Sequence, residues 1–383
     1  MLHRTTLAAA LAACSALPAL AQAGPAAAPP KLLVFITVDQ LLPEYFTRFE
    51  GQLQGGLARL WNGGAVFTDA HQDHGVTETA PGHASTLSGR FPRGTGIVRN
   101  LDGVQDPASP LVGSDTALGA SPHRFRGTAL FDWLQARDPR SRALSVSPKD
   151  RSAILPLGRA RQSVFWYAYQ GRFVTSRWYA DTLPDWVERF NARGAVGRHR
   201  GRAWTLLLPE SAYPEPDSVR VESRGTDQAF PHPAPADSAG AARRLPDFPW
   251  MDQVTLELAL AGLSEMGLGA GEATDVLAVS LSATDAVGHR YGPDSREIHD
   301  QVLRLDRALG VFLDSLFRLR DSRGVVVALT ADHGVAPFPE VRHGRAGADS
   351  LSVRPATFRG WLYAELRALG LDTAAVEFDD GMV

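Results

Sequence analysis

Three short apolar runs in this chain each deliver acidic or imidazole side chains just beyond their ends. LLVFITV (32–38) runs into Asp39, DVLAVSLSATDAVGH (275–289) carries Asp285 and His289, and VVVALT (325–330) is followed by Ala331 and then Asp332-His333. Between the first two lies TETAPGHAS (77–85), in which Thr79 is a candidate nucleophile. Asp and His supply the O and N donors that zinc accepts at roughly 2.0–2.2 Å. Two metals about 3.5–4 Å apart suit in-line displacement at phosphorus. Each piece alone has a plainer reading. An Asp after a strand caps a turn, a D-x-x-x-H pair is a weak signal, and the Thr79 hydroxyl can simply begin the helix that A-P-G-H-A-S-T-L opens, with Pro81 in its first turn. Asp332 and His333 are neighbours, and adjacent strand residues face opposite ways. They serve one site only where the chain turns, which Gly334 permits. Taken together, the four segments make metal chemistry the better reading.

Chain segments this far apart meet only if a fold brings them together. Apolar runs alternating with amphipathic helices predict an α/β fold with a doubly wound, mainly parallel sheet. In such sheets ligands bind beyond the carboxyl ends of the strands. The clearest helix is expected over roughly 294–318, capped by Asp294 or Ser295. Its Ile298, Val302, Leu305, Leu309, Phe312, Leu313 and Leu316 form one stripe at helical spacing. Residues 163–250 differ in texture and read as an inserted cap region. An aromatic first half (Trp166, Tyr167, Trp178, Trp186, Trp204) is expected against the core. A Pro-, Ser- and Asp-rich second half reads equally as a lid at the site mouth or a surface excursion. Residues 228–240 are expected to be the most mobile part.

With 383 residues and 44% hydrophobic content the chain can bury a sizeable core, and a net charge of −3 without any dense basic run gives no reason to expect a nucleic-acid partner. Residues 1–23 read as a secretory signal peptide, with His3 and Arg4 ahead of an Ala/Leu-rich stretch and small residues at Ala19-Leu20-Ala21. The stretch is too short to span a membrane, so a secreted or periplasmic protein is expected. Leu11-Ala12-Ala13-Cys14 allows a lipoprotein reading as the minority alternative. Residues 24–30 form a leader and 31–383 the catalytic domain.

The set T-E-T-A-P-G-H, T-D-A-V-G-H and T-A-D-H-G-V resembles the alkaline phosphatase superfamily, in its threonine-nucleophile branch. That branch holds the phosphate-irrepressible alkaline phosphatases and the nucleotide pyrophosphatase/phosphodiesterases. The resemblance covers about residues 31–345. It implies an alkaline-phosphatase-like fold and two catalytic zinc ions. Asp285 and His289 would bind one; Asp39, Asp332, His333 and the Thr79 oxygen would bind the other. It also implies a phosphothreonine intermediate. A metal ion lowers the pKa of a hydroxyl that is otherwise a poor nucleophile. His83 is expected to pack or to support a ligand rather than to be one.

Within the resemblance, Asn100 in G-I-V-R-N would contact a phosphoryl oxygen. Lys149 and Arg151, in S-P-K-D-R-S-A-I, resemble the K-x-R pair of the phosphate-irrepressible group. A guanidinium fork and an ammonium match the oxygens of a monoester dianion. Without the family pattern, Lys149 and Arg151 read as a solvated charged turn. The expected activity is therefore that of a zinc-dependent phosphomonoesterase acting on small phosphate esters. The alternatives are a nucleotide pyrophosphatase/phosphodiesterase or an inactive metal-binding fragment. The last is motivated by a departure from the pattern. The zinc of Asp285 and His289 normally gains a further histidine downstream, and the setting of His343 does not match it. The C-terminal part of the domain is accordingly expected to be missing.

Overall fold

The computed structural model describes residues 28–116, 118–338, 341 and 355–376. The segment 1–23 expected to be a signal peptide, with Cys14, and His343 lie outside the described residues. Ten strands are described: β1 Leu32–Val38, β2 Gln105–Val112, β3 Gly119–Ala120, β4 Ala143–Ser147, β5 Ser163–Ala168, β6 Arg172–Ser176, β7 Ala203–Trp204, β8 His232–Pro233, β9 Asp275–Leu281 and β10 Val325–Thr330. Eight of them form one sheet in the order β10-β1-β9-β4-β5-β6-β2-β3, and β7 pairs with β8 apart from it. Strands β10, β1, β9, β4 and β5 run parallel. The edge from β6 onward is antiparallel. This is the mainly parallel α/β sheet that the alternation of elements predicts.

A parallel sheet with helices on both faces must bury both sets of alternating side chains. Strand β5 shows this directly. Phe165 and Tyr167 join one apolar cluster, whereas Val164, Trp166 and Ala168 join the other. The helix Trp250–Glu265 covers β4 and β9 on one face, and the helix Arg296–Leu319 packs over it. The latter starts where the sequence places it, with the Ser295 side chain accepting from the Ile298 N–H. Every member of its expected apolar stripe is buried. Beyond Leu319 the chain re-enters the sheet at β10, beside β1.

The stretch from residue 163 begins inside the sheet, since β5 and β6 are two of its strands; the departure from the sheet starts only after Ser176. The remainder is pinned to the helix Arg296–Leu319. Trp204 Nε1 donates to Asp300 Oδ1 at 2.6 Å and the Tyr213 hydroxyl to Asp300 Oδ2 at 2.7 Å. Within the 228–240 stretch expected to be mobile, His232 is fully buried between Asp227 and Glu297. A composition rich in Pro and Ser hides this anchor, because one buried histidine between two carboxylates leaves no periodic trace.

Candidate active site

The four neighbouring strands β10, β1, β9 and β4 all end at one rim of the sheet. Because they are parallel and adjacent, whatever follows each of them is brought together. Asp39 follows β1, Asp332 and His333 follow β10, and the helix Ala283–Tyr291 after β9 carries Asp285 and His289 one turn apart. Lys149 follows β4 and precedes the short helix Asp150–Ile154. His333 Nε2 lies 3.3 Å from Asp39 Oδ1, 3.8 Å from Asp332 Oδ2 and 4.0 Å from Asp285 Oδ1. His289 Nε2 lies 3.1 Å from Asp285 Oδ1 on the more exposed side. The chain bends at Asp332, past the end of β10, and two consecutive residues face one centre.

Thr79 opens the helix Thr79–Thr86 and is buried. This helix lies directly against the end of β10. A Cβ on Gly82 would sit 2.3 Å from the Asp332 carbonyl oxygen, so only glycine allows the approach. His83, one turn on, is completely buried. Its Nδ1 faces two acceptors, the Thr79 carbonyl at 2.9 Å and Asp332 Oδ2 at 3.0 Å, and therefore carries the proton. Its Nε2 meets the Ser280 hydroxyl at 2.8 Å. His83 ties the threonine helix to Asp332, a supporting place consistent with its sequence reading.

Two further side chains stand at Thr79, Lys149 and Asn100, and Arg151 follows Lys149 in the chain. Lys149 Nζ lies 2.6 Å from Asp39 Oδ2, 2.6 Å from Asp285 Oδ2 and 3.5 Å from Thr79 Oγ1. Asn100 Oδ1 accepts from the Ala80 N–H at 2.8 Å, next to Thr79. The other end of that amide is a donor only. Arg151 stands in the first turn after Lys149, and its Nε is buried without a hydrogen-bond partner. A buried donor left unpaired costs about 1–3 kcal/mol, and Nη1 of the same guanidinium lies 3.6 Å from Asp150 Oδ1. The structure places Lys149 against the carboxylates rather than in the solvated turn that a family-blind reading favours.

The residues present fit a metal centre. Asp39, Asp285 and His333 each offer a ligand atom, and these atoms lie within 4.8 Å of one another. Asp39 Oδ1 and Asp332 Oδ2 are buried and turned toward imidazole nitrogens, His333 Nε2 at 3.3 Å and His83 Nδ1 at 3.0 Å. Mixed carboxylate and imidazole donors suit zinc better than magnesium or calcium. The electrostatics agree. Burial and the neighbouring Asp332 both disfavour the Asp39 anion, yet Lys149 and His333 outweigh them and hold its carboxyl below the ordinary range. Burial works against Asp332 too, but His83 and His333 bring it down to about 2. His333 is desolvated, which lowers it, but Asp39 and Asp332 raise it to about 9. Burial opposes the Lys149 ammonium, and Asp39 and Asp285 hold its pKa above the usual lysine value. The His289 pKa is raised, first by its hydrogen bond to Asp285. The carboxylates thus create a place that favours positive charge, and metal binding there would release protons from the imidazoles.

Two groups at the site escape sequence reasoning. Gln40, the residue after Asp39, contacts both Asp285 and Asp332. Asp252 reaches in from the helix Trp250–Glu265 and accepts from the Ala283 N–H at 3.1 Å, at the start of the helix that carries Asp285. Neither belongs to a motif. The left-handed backbone that Gln40 needs has no marker in a glutamine.

An open, mainly parallel sheet whose strand ends gather Asp and His around a buried threonine is an α/β scaffold of the metal-dependent phosphodiesterase and phosphatase type. The chain belongs to the type I phosphodiesterase / nucleotide pyrophosphatase family, which it matches over residues 33–350. It is 33% identical over 328 residues to the alkaline phosphatase PafA of Elizabethkingia meningoseptica, covering 80% of this chain and 60% of that protein. It is 35% identical over 334 residues to the alkaline phosphatase PhoK of Sphingomonas sp, covering 83% and 57%. The crystal structure of wild-type PafA matches with a TM-score of 0.81 at 30% identity, covering 88% of this chain and 69% of that one. The chain therefore spans about 60% of the length of the curated relatives it matches.

Proposed function

We propose that this chain is the catalytic part of a zinc-dependent phosphomonoesterase, an alkaline phosphatase, with Thr79 as nucleophile. The observation that carries this reading is the position of Lys149, whose ammonium reaches Asp39, Asp285 and the Thr79 hydroxyl together. A monoester dianion brings more charge and more non-bridging oxygens to the nucleophile than a diester, and an ammonium and a guanidinium there answer it. The alkaline phosphatases among its relatives support the same assignment.

Asp285 and His289 would hold one zinc, and Asp39, Asp332, His333 and the Thr79 oxygen the other. Bound there, zinc would supply the charge that lowers the hydroxyl's pKa and stabilises the leaving oxygen. The protein does the rest by positioning. His83 and the close approach at Gly82 hold the threonine helix against Asp332, so Thr79 Oγ is aimed from a rigid element. Oγ attacks phosphorus in line; the ester P–O bond breaks on the opposite side and leaves phosphothreonine, which water then hydrolyses. Asn100 donates to one phosphoryl oxygen, and Lys149 and Arg151 balance charge on the others, an electrostatic contribution made without reorganisation. Export through the segment 1–23 completes the reading, and among the described residues no helix is long and apolar enough to cross a membrane.

The family's own description keeps a second reading in view, that of a phosphodiesterase or nucleotide pyrophosphatase. Hydrolysis of an aryl phosphate monoester and its methyl diester by zinc-loaded protein separates the two. The monoester is expected to be preferred; a marked preference for the diester overturns the assignment. One zinc per chain with no turnover of either ester would support the non-catalytic alternative.

A further inference from the structure

Gln40 occupies backbone space that glutamine seldom visits. Its φ is +66°, in the left-handed region where a non-glycine residue is uncommon. Such strain persists only where the surroundings over-determine it, and it clusters at functional sites. Here both ends of the residue are engaged. The backbone N–H donates to Asp332 Oδ1 at 3.1 Å, and the side-chain Nε2 donates to Asp285 Oδ1 at 2.9 Å. Gln40 itself is buried and follows Asp39 in the chain. One residue thus links the carboxylates that follow β1, β9 and β10. A more ordinary φ would turn the N–H or the amide away from its carboxylate.

The helix bearing Asp285 and His289 is shaped to accept this side chain. A Cβ on Gly288 would lie 2.0 Å from Gln40 Oε1. That oxygen is the far end of a flexible side chain, so an alanine at 288 could be housed by swinging the amide aside. The swing would break its bond to Asp285. Gly288 therefore protects the amide's position rather than the packing of the backbone.

We propose that Gln40 is the positioning residue of the metal centre and that Gly288 is its clearance. In this assignment the amide donates to Asp285 Oδ1, the oxygen that also faces His289 Nε2 and His333 Nε2, and so fixes the rotation of that carboxylate at the centre. The N–H holds Asp332 through Oδ1 in the same way, leaving Oδ2 turned toward His83 Nδ1 and His333 Nε2. The proposal rests on the metal-centre reading above and deepens it by naming what fixes ligand geometry. Partners that orient metal ligands typically change metal affinity by about 10–100-fold when removed.

The test is zinc affinity by chelator competition, with the visible spectrum of the cobalt(II)-loaded protein as a readout of ligand geometry. Gln40→Ala is expected to weaken zinc binding about tenfold or more and to shift the cobalt bands. Gly288→Ala should do likewise, and combining the two should add little, since both act on one amide. Gln40→Gly relaxes the backbone while keeping the N–H bond to Asp332. It should fold at least as stably as Gln40→Ala yet lose zinc affinity to the same degree, which a purely structural role would not produce. Gln40→Ala and Gly288→Ala chains that bind zinc within about twofold of wild type, with unchanged cobalt spectra, overturn the proposal. A wild-type chain that binds no divalent metal would instead overturn the reading beneath it.

Discussion

At the level of single residues, the site is an arrangement of charge around one hydroxyl. Asp39, Asp285 and Asp332 would repel one another at this separation, and Lys149, His333 and His83 supply the opposing charge and donors. Arg151 is the informative exception, because its buried Nε has no partner inside the protein. If that donor serves a phosphoryl oxygen, Arg151→Ala should cost about 1.5–3 kcal/mol of transition-state stabilisation, or roughly tenfold or more in kcat/KM for a monoester. The diester rate should change less. Equal losses for both esters would place Arg151 in general folding support rather than in substrate discrimination. Sequence reading reached Arg151, Lys149 and Asn100 only through the family pattern, since a charged turn and an isolated amide carry no periodicity of their own.

At the level of elements, the helix Ala283–Tyr291 must be held at a fixed height above β9 for Asp285 to meet Asp39. Asp252 does this from the neighbouring helix. One carboxylate oxygen accepts from the Ala283 N–H at 3.1 Å and the other from Gln301 Nε2 at 3.0 Å. Burial raises the Asp252 pKa to about 7. Asp252→Ala leaves a buried N–H unpaired and should cost about 1–3 kcal/mol, read as a lower denaturant midpoint. Asp252→Asn should be far milder, because Gln301 Oε1, buried without a partner, can flip to accept from the new amide. If both substitutions destabilise equally, the carboxylate is not acting through these bonds. The amphipathic helix Arg296–Leu319 was legible from its stripe, whereas this cross-helix brace was not, because its partners lie dozens of residues apart.

At the level of the whole molecule, the region after Ser176 is attached to the catalytic scaffold through buried charge. Arg290, next to His289, pairs with Asp227, and His232 bridges Asp227 and Glu297. Glu222 is buried in the same region with one carboxylate oxygen unpartnered. Burial, with help from Glu297 and Asp217, raises its pKa to about 8. The folded state therefore keeps this proton where the unfolded chain has already released it. Stability must fall as pH rises from the ordinary glutamate range toward about 8, with a slope of up to about 1.4 kcal/mol per pH unit. Glu222→Gln removes the titration, so its melting-temperature advantage over wild type should widen from pH ~5 to pH ~8. An advantage that stays constant with pH would show that Glu222 is already ionised in the folded protein.

Local chemistry alone specified the apolar strands, the capped amphipathic helix, and the Asp, His and Thr that stand at their ends. Those signals are short-range: alternation, helical spacing, and a serine at the start of the long helix. Which strand lies beside which was decided only in three dimensions. The order β10-β1-β9-β4 makes neighbours of Asp and His side chains separated by hundreds of residues. The same holds for Gln40, Asp252 and Gly288, whose importance lies wholly in what they touch. A hydrogen bond between distant segments constrains a distance and an angle, and no pattern along the chain records either.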